Sequence, residues 1–537
     1  VNESCGPTAW RSSGGYQLMN VGVWITKRDV LSPNKIAIIF EDQRITYKEV
    51  NDRVNRLANA LINEGIRKGD RVAALLYNCP EFMEVYFALA KIGAIFVTLN
   101  FRLAGPEIQY MIDDSGARFL IFDGDLSETV SSIRSNLSIN QGNYVAVGKL
   151  CPDWAKAYET FIIKFPEEEP GISEEVNLED PQMIMYTSGT TGIPKGTLLS
   201  HQKTFYNTFN AVLYFDMTSK DIMLVVMPLF HSGGLNIATV PILYTGGTAV
   251  IQKSFDPKKT LSLIEKHQIT HAMLVPTMLN FMLKQGDIDN CNLNSMKTLM
   301  VGGEPISLSL ITAYQKRNIP IRQVFGQTET SIQLWLSEED ATRKIGSVGK
   351  PVFHAHVRVV NENGIDVVPE EVGEIILKGP TQMIGYWNDP EQTAETLKDG
   401  WLHTGDLATM DEEGFVYMVD REKDMYISGG ENVYPAEIER VLGENPKILE
   451  VAVIGVPDEK WGEVGKALIV LKDGEKMSGE EPIDFLRGKI ARYKIPKHVE
   501  FTKEFPKTAS GKIKKASLRE KFGHKKVAER IKRNVPK

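Results

Sequence analysis

Short apolar runs that alternate with stretches of helical period leave this chain few folds to choose from. Arg71-Val72-Ala73-Ala74-Leu75-Leu76 is nearly continuous in apolar residues, as expected of a strand buried on both faces. Residues 80–92 follow with helical spacing and stop at Gly93; 94–99 is a second buried run. Strand, helix and strand at that spacing predict a βαβ unit, and therefore a parallel sheet. The alternation recurs at 119–122, 183–186, 222–227, 249–251, 271–275 and 298–301. Upstream, 35–40 and 44–47 flank a turn at Asp42-Gln43 and predict a hairpin. Val50, Val54, Leu57, Ala60 and Leu61 then mark a helix over 47–64, closed by Gly65.

After Pro351 the runs shorten to 356–360, 374–377 and 415–418, which predicts a smaller β-rich subdomain. The pattern changes again after Asp420-Arg421-Glu422-Lys423, with a helix over 436–442, strands over 449–456 and 467–471, and a helix over 482–491. The expected fold class is α/β: a large N-terminal body of parallel-type βαβ sheets with the β-rich subdomain, plus a small mobile α+β C-terminal lid. The expected boundaries are 1–18 for a flexible tail or an appended remnant, 19–422 for the body and 423–537 for the lid. A chain of 537 residues exceeds what one core usually supports.

With 24% charged and 42% hydrophobic residues, collagen-like and low-complexity classes are excluded. No apolar run reaches the roughly 18 residues of a membrane helix, and no basic start precedes an apolar core as in a secretory signal. Cys5, Cys79, Cys151 and Cys291 are scattered without metal-ligand or disulfide spacing, so a reducing cytoplasm is the expected compartment. A net charge of −7 argues against nucleic acid as a partner. From Lys512 onward, eleven Lys/Arg face two Glu. A solvated end is the plain reading of that run; weak contact with an acidic membrane surface is the sharper one.

The most informative stretch is Tyr186-Thr187-Ser188-Gly189-Thr190-Thr191-Gly192-Ile193-Pro194-Lys195-Gly196, directly after a buried strand. Glycines let backbone N–H groups turn toward an anion, hydroxyls add donors, and a lysine can follow a leaving phosphate. A Walker loop would need Gly, Lys and Ser or Thr at 194–196; the chain has Pro194, Lys195 and Gly196, so kinase- or GTPase-like chemistry is not indicated.

At this loop the chain resembles the adenylate-forming superfamily: acyl-CoA synthetases, luciferases and the adenylation domains of peptide synthetases. Further motifs carry the resemblance in order from about Met19 to Lys515. Gly302-Gly303-Glu304-Pro305 matches the family's adenine-side loop, and Phe325-Gly326-Gln327-Thr328-Glu329, after Val324, its aromatic-Gly-x-Thr-Glu motif. Trp401-Leu402-His403-Thr404-Gly405-Asp406 matches its ribose motif, and Asp420-Arg421-Glu422-Lys423-Asp424 its hinge. Ser428-Gly429-Gly430-Glu431-Asn432-Val433-Tyr434-Pro435 with Glu437 matches the loop after the hinge, and Pro506-Lys507-Thr508-Ala509-Ser510-Gly511-Lys512-Ile513 the C-terminal catalytic-lysine motif.

The resemblance implies a carboxylic acid activated by ATP to acyl-AMP and pyrophosphate, then transferred to coenzyme A. Lys512 would reach the α-phosphate, Thr328 would bond it, and Glu329 with Thr187 would hold Mg²⁺ on the phosphates. Ser188, Gly189, Thr190, Thr191, Gly192 and Lys195 would hold the leaving pyrophosphate. Gly303, Glu304, Pro305, Val324, Phe325, Gly326 and Gln327 would take the adenine, with stacking on Phe325 contributing roughly 1–3 kcal/mol. Asp406 would accept the ribose hydroxyls, with Arg421 beside it. Lys423 would be the pivot, and Gly429 and Gly430 would line a pantetheine tunnel.

The acyl pocket is expected near His231, Gly233, Gly234 and Ile332, with Leu235, Ile237 and Leu334 adding apolar surface. Amino-acid-activating relatives place an Asp where this chain has His231; burying an ammonium without an acidic partner is costly, so amino acids are disfavoured. His231 would gate the pocket or touch the carboxylate. A fatty acid is the first expectation for the substrate. An aryl acid of the benzoate or coumarate type, or loading of a carrier protein, is the alternative. Only 25 residues follow Lys512, so free CoA is the simplest acceptor. A homodimer is the expected assembly.

Overall fold

The computed structural model of the chain describes residues 20–523 apart from 188–193, 286, 304–305, 422–423, 429–430, 459–460, 488, 491 and 508–512; at 285, 420, 421, 427, 431 and 432 it describes the backbone alone. Two large sheets and one small sheet organise the described residues.

The βαβ reading of residues 71–98 holds. Arg71–Leu75, the helix Pro80–Ile92 and Ile95–Thr98 form a parallel pair with its crossover, and Phe119–Asp123 and Tyr144–Val147 extend it on the other side. Every residue of Ile95–Thr98 and Phe119–Asp123 is buried, which is why these strands read as continuous apolar runs rather than alternating ones. Pro181–Thr187 joins the same sheet in parallel beside Ile95–Thr98. The chain then reverses, and Lys195–Ser200 returns antiparallel.

The second sheet has fourteen strands and changes character along its width. Ile36–Phe40, Thr248–Ile251, Ile222–Val225, His271–Leu274, Thr298–Gly302 and Ile321–Gln327 lie parallel. Ser331–Leu336 then turns back antiparallel, and so do the strands beyond it. The β-rich region is therefore continuous with the body: Ser347–Pro351 pairs with Ser331–Leu336 on one side and Val416–Arg421 on the other. The change of sequence pattern after Pro351 marks a switch from strands buried on both faces to antiparallel strands covered less completely.

The C-terminal unit has its own five-stranded sheet, built around the long pair Ile448–Asp458 and Gly462–Leu471. Val453, Ala467 and Ile469 pack under the helix Pro435–Gly443 through Ile438 and Leu442. Ile454, Leu468 and Val470 on the opposite face meet Phe505 and Leu518, the latter from the helix Lys515–Phe522. The helix expected over 482–491 is shorter, Glu481–Leu486. Arg487 already leaves helical backbone, with ψ 131°. A glycine at 488 adds its own penalty to helix continuation. No helix among the described residues is long and apolar enough to cross a membrane.

Candidate active site

Ligands of open α/β sheets gather outside the carboxyl ends of the strands, where parallel order gives way to something else. Here those ends share one opening. Met227, Phe230 and His231 follow Ile222–Val225; Val275 follows His271–Leu274; Gly303 follows Thr298–Gly302; Thr328 and Glu329 follow Ile321–Gln327. The other sheet contributes Tyr186, Thr187 and Lys195. All of them line a single cavity of about 1440 Å³, and Tyr434 and Lys514 of the C-terminal unit line it too.

Strand pairing places Thr187 directly opposite Lys195 at the end of the hairpin. Ser188, Gly189, Thr190, Thr191 and Gly192 lie outside the described residues. Lys195 Nζ donates to Gln392 Oε1 and sits 5.6 Å from the centre of the Tyr386 ring. The Tyr386 hydroxyl donates to Glu329 Oε1 at 3.0 Å. Burial first, then the Glu329 charge, push the Tyr386 phenol well up, so it stays a donor throughout the neutral range. Tyr386 was not legible in the sequence. It reaches the site on a two-residue strand, Gly385–Tyr386, paired with Leu198 and Thr197, which has no period to read.

Of the residues expected to take the adenine, Gly303, Val324, Phe325, Gly326 and Gln327 line the cavity, while Glu304 and Pro305 lie outside the described residues. Gly303 has φ +83°, a conformation glycine adopts freely. Phe325 is half-buried against Leu334 and its neighbours. Asp406 is 3% exposed and does not itself line the cavity, although Thr404, Gly405 and Leu407 around it do. Its Oδ2 accepts from Gln327 Nε2, which also reaches the Thr404 carbonyl at 3.1 Å. Register sets the Asp406 backbone opposite Arg421, whose side chain is outside the description. Glu374, unmarked by any sequence signal, ties this loop down: its Oε2 lies 2.6 Å from His403 Nδ1, and its Oε1 accepts from Gly405 N at 2.9 Å.

Of the residues expected around the acyl group, His231, Gly233 and Ile237 line the cavity. Gly234 and Ile332, expected there, do not. A Cβ on Gly234 would stand 2.4 Å from the Pro228 carbonyl oxygen, so this glycine packs into backbone behind the wall. Ile332 is fully buried, its N–H held by Asn207 Oδ1 at 3.2 Å. Leu235 and Leu334 are also core. Gly233–Thr239 is wound as a π-helix, a widened turn common at functional sites. Thr239 Oγ1 and Asn207 Nδ2 satisfy the Gly234 and Asn236 carbonyls within it. Lys423, Gly429, Gly430 and Lys512 lie outside the described residues.

Glu329, Thr187 and Thr328 all line the cavity, and their side chains offer oxygens: a carboxylate and two hydroxyls. Among the described residues no cluster of three or more His, Cys, Asp or Glu forms a dedicated metal cage. Magnesium keeps several waters and is usually bound through one or two carboxylates plus substrate phosphates, so these residues fit Mg²⁺ carried in with a nucleotide.

Comparison with known proteins agrees with this geometry. The family model described as AMP-binding enzyme matches residues 26–387, and the AMP-binding enzyme C-terminal domain matches 437–512. A feruloyl-CoA synthase of Amycolatopsis sp is 42% identical over 504 residues, covering 94% of this chain and 99% of that protein. An indoleacetate–CoA ligase of Aromatoleum aromaticum is 39% identical over 512 residues, covering 95% and 100%. The o-succinylbenzoate CoA synthetase of Bacillus subtilis, solved with its acyl-adenylate intermediate, superposes with a TM-score of 0.83 at 33% identity, over 92% of this chain and 97% of that one. Its form with ATP and magnesium ion gives 0.82 at 32% identity, over 92% and 99%. The chain therefore belongs to the adenylate-forming superfamily of AMP-binding enzymes and is one of its AMP-forming acid–CoA ligases.

Proposed function

We propose that this ligase activates an aryl-substituted carboxylic acid with ATP and Mg²⁺ and passes the acyl group to free coenzyme A. The observation that carries the aryl reading is the make-up of the cavity wall around Gly233. A Cβ there would stand 3.2 Å from Met273 Cε and 3.9 Å from Met227 Cε, so two thioether tips pack against the bare glycine, and all three residues line the cavity. Phe230 and His231, with ring centres 4.5 Å apart, lie three and two residues before it. Thioethers and ring edges make favourable contacts with an aromatic guest. The aryl names of the feruloyl and indoleacetate relatives support the same reading, and a fatty acid, the first expectation, has less support.

In the first step a carboxylate oxygen of the acid attacks the α-phosphorus in line, the bond to the bridging oxygen breaks, and pyrophosphate leaves with that electron pair. Thr328 donates to the α-phosphate oxygens, Lys195 balances the departing pyrophosphate, and Lys512, brought from the C-terminal unit, bridges the α-phosphate and the carboxylate. Mg²⁺, held by Glu329 and the Thr187 hydroxyl, would neutralise charge on the phosphates. Catalysis here is positioning and charge stabilisation. In the second step the CoA thiol, losing its proton, attacks the acyl carbon, and AMP leaves. The C-terminal unit, pivoting at Lys423, would exchange Lys512 for the Gly429–Gly430 tunnel between the two steps.

The test is pyrophosphate release across short, medium and long-chain aliphatic acids and arylpropenoic, arylacetic and benzoic acids, each with and without CoA. Aryl acids should give the highest kcat/KM, with an acyl-CoA product when CoA is present. A long-chain aliphatic acid turned over faster than every aryl acid would overturn the substrate assignment.

A further inference from the structure

Helix His201–Phe215 packs against strand Ser331–Leu336, and its third residue is a lysine. Lys203 is 1% exposed, and its Nζ donates to the Ser331 hydroxyl. Among the described residues it forms no ion pair with a carboxylate. Burying an ammonium this way is unfavourable, and an apolar side chain of similar volume would fill the space without that cost. Burial pulls the amine from 10.5 down to about 7, opposed by the charge of Glu329. Packing alone gives no reason for a lysine here.

Its partner is unusual too. Ser331 is buried, yet has φ +58°, a left-handed conformation that a non-glycine residue keeps only where its surroundings enforce it. This kink closes the turn 328–330, because Ser331 is the register partner of Gln327. The two strands come so close there that a Cβ on Gly326 would stand 1.7 Å from the Ser331 carbonyl oxygen. The rest of the turn is fastened from elsewhere. Gln333 Nε2 donates to Thr330 Oγ1 at 2.6 Å, Met383 N to the Glu329 carbonyl at 2.7 Å, and Tyr386 to the Glu329 carboxylate. Lys203 fastens the Ser331 end.

We propose that Lys203 is a positioning residue for adenylation: by gripping the Ser331 hydroxyl it locks the left-handed kink and so aims Thr328 and Glu329 into the cavity. The proposal rests on the reading that this turn serves the α-phosphate. It makes Lys203 act through Ser331, so the two residues form one device. In this proposal neither residue has a part in thiol transfer.

Lys203→Met, Ser331→Ala and the double variant test it, with the acid giving the fastest turnover in the screen above and its synthetic acyl-adenylate. Two rates are read: pyrophosphate release from ATP and acid, and thioester formation from supplied acyl-adenylate and CoA. Each single variant should release pyrophosphate about tenfold more slowly, by a lower kcat rather than a higher KM for the acid, while thioester formation stays within about twofold. The double variant should be no slower than Lys203→Met, because partners in one device do not add. Loss of both half-reactions in proportion, tracking a loss of folded protein, would reduce Lys203 to packing and overturn the proposal. Additive losses would overturn it as well. Should Lys203→Met fail to fold, Ser331→Ala carries the test alone, and unaltered pyrophosphate release in it overturns the proposal. A wild type that releases no pyrophosphate with any acid would bring down the functional reading and this proposal together; an active wild type beside unaffected variants would bring down this proposal alone.

Discussion

Glu329 is restrained at its carbonyl by Met383 and at its carboxylate by Tyr386, and it lines the cavity. A carboxylate fixed in this way can present charge without the cost of ordering a free side chain. Glu329→Gln keeps the shape and an acceptor for Tyr386 but removes the charge. Adenylation should fall by roughly 100-fold and its Mg²⁺ requirement should rise; pyrophosphate release measured against Mg²⁺ concentration checks both. Turnover unchanged at limiting Mg²⁺ would remove Glu329 from that role. Asp406 shows how a neighbour can alter a role assigned to a single residue. It is expected to face a ribose, yet its carboxylate is nearly covered and already accepts from Gln327. Ribose binding there would have to share that carboxylate with Gln327.

At the scale of elements, the hairpin Ile321–Gln327 and Ser331–Leu336 is where the large sheet stops being parallel, and at Gly326 it has no room for a Cβ. Any side chain there meets the Ser331 carbonyl oxygen. Gly326→Ala should part the two strands locally, at a cost of about 1–3 kcal/mol. The expected outcome is a lower thermal midpoint together with weakened ATP binding by calorimetry, since the same turn carries Thr328. Wild-type ATP affinity in a folded Gly326→Ala protein would show that the turn is not coupled to the nucleotide. The hairpin Pro181–Thr187 and Lys195–Ser200 does comparable work in the other sheet, because its register alone sets a hydroxyl opposite an amine at the cavity wall.

For the whole molecule, the cavity is shared between the body and a C-terminal unit with its own sheet and core. Lys514 and Tyr434 reach the wall from that unit, and an isolated antiparallel bridge pairs Lys507 with Ile513 at the two ends of the lysine motif. A site divided this way can present different residues to two successive steps. Lys512→Ala should abolish pyrophosphate release yet leave thioester formation from supplied acyl-adenylate near wild type. Equal loss of both half-reactions would contradict a role confined to the first step.

What the amino-acid order settles alone is whatever the backbone decides locally. Periods of two and 3.6 mark strands and helices, and the clustered glycines and hydroxyls of 187–196 raise the expectation of an anion loop, because adjacent backbone groups can turn toward one ligand. The helix over 80–92 was readable to the residue for that reason. Contacts between distant side chains have no such signature. Tyr386 with Glu329 spans 57 positions, Gln327 with Asp406 spans 79, and Lys203 with Ser331 spans 128. Each depends on which strands become neighbours and how closely they approach. Gly234 and Ile332 fell behind the acyl wall for the same reason: an apolar or small residue near a site is consistent with lining it or supporting it, and only packing in three dimensions chooses between the two.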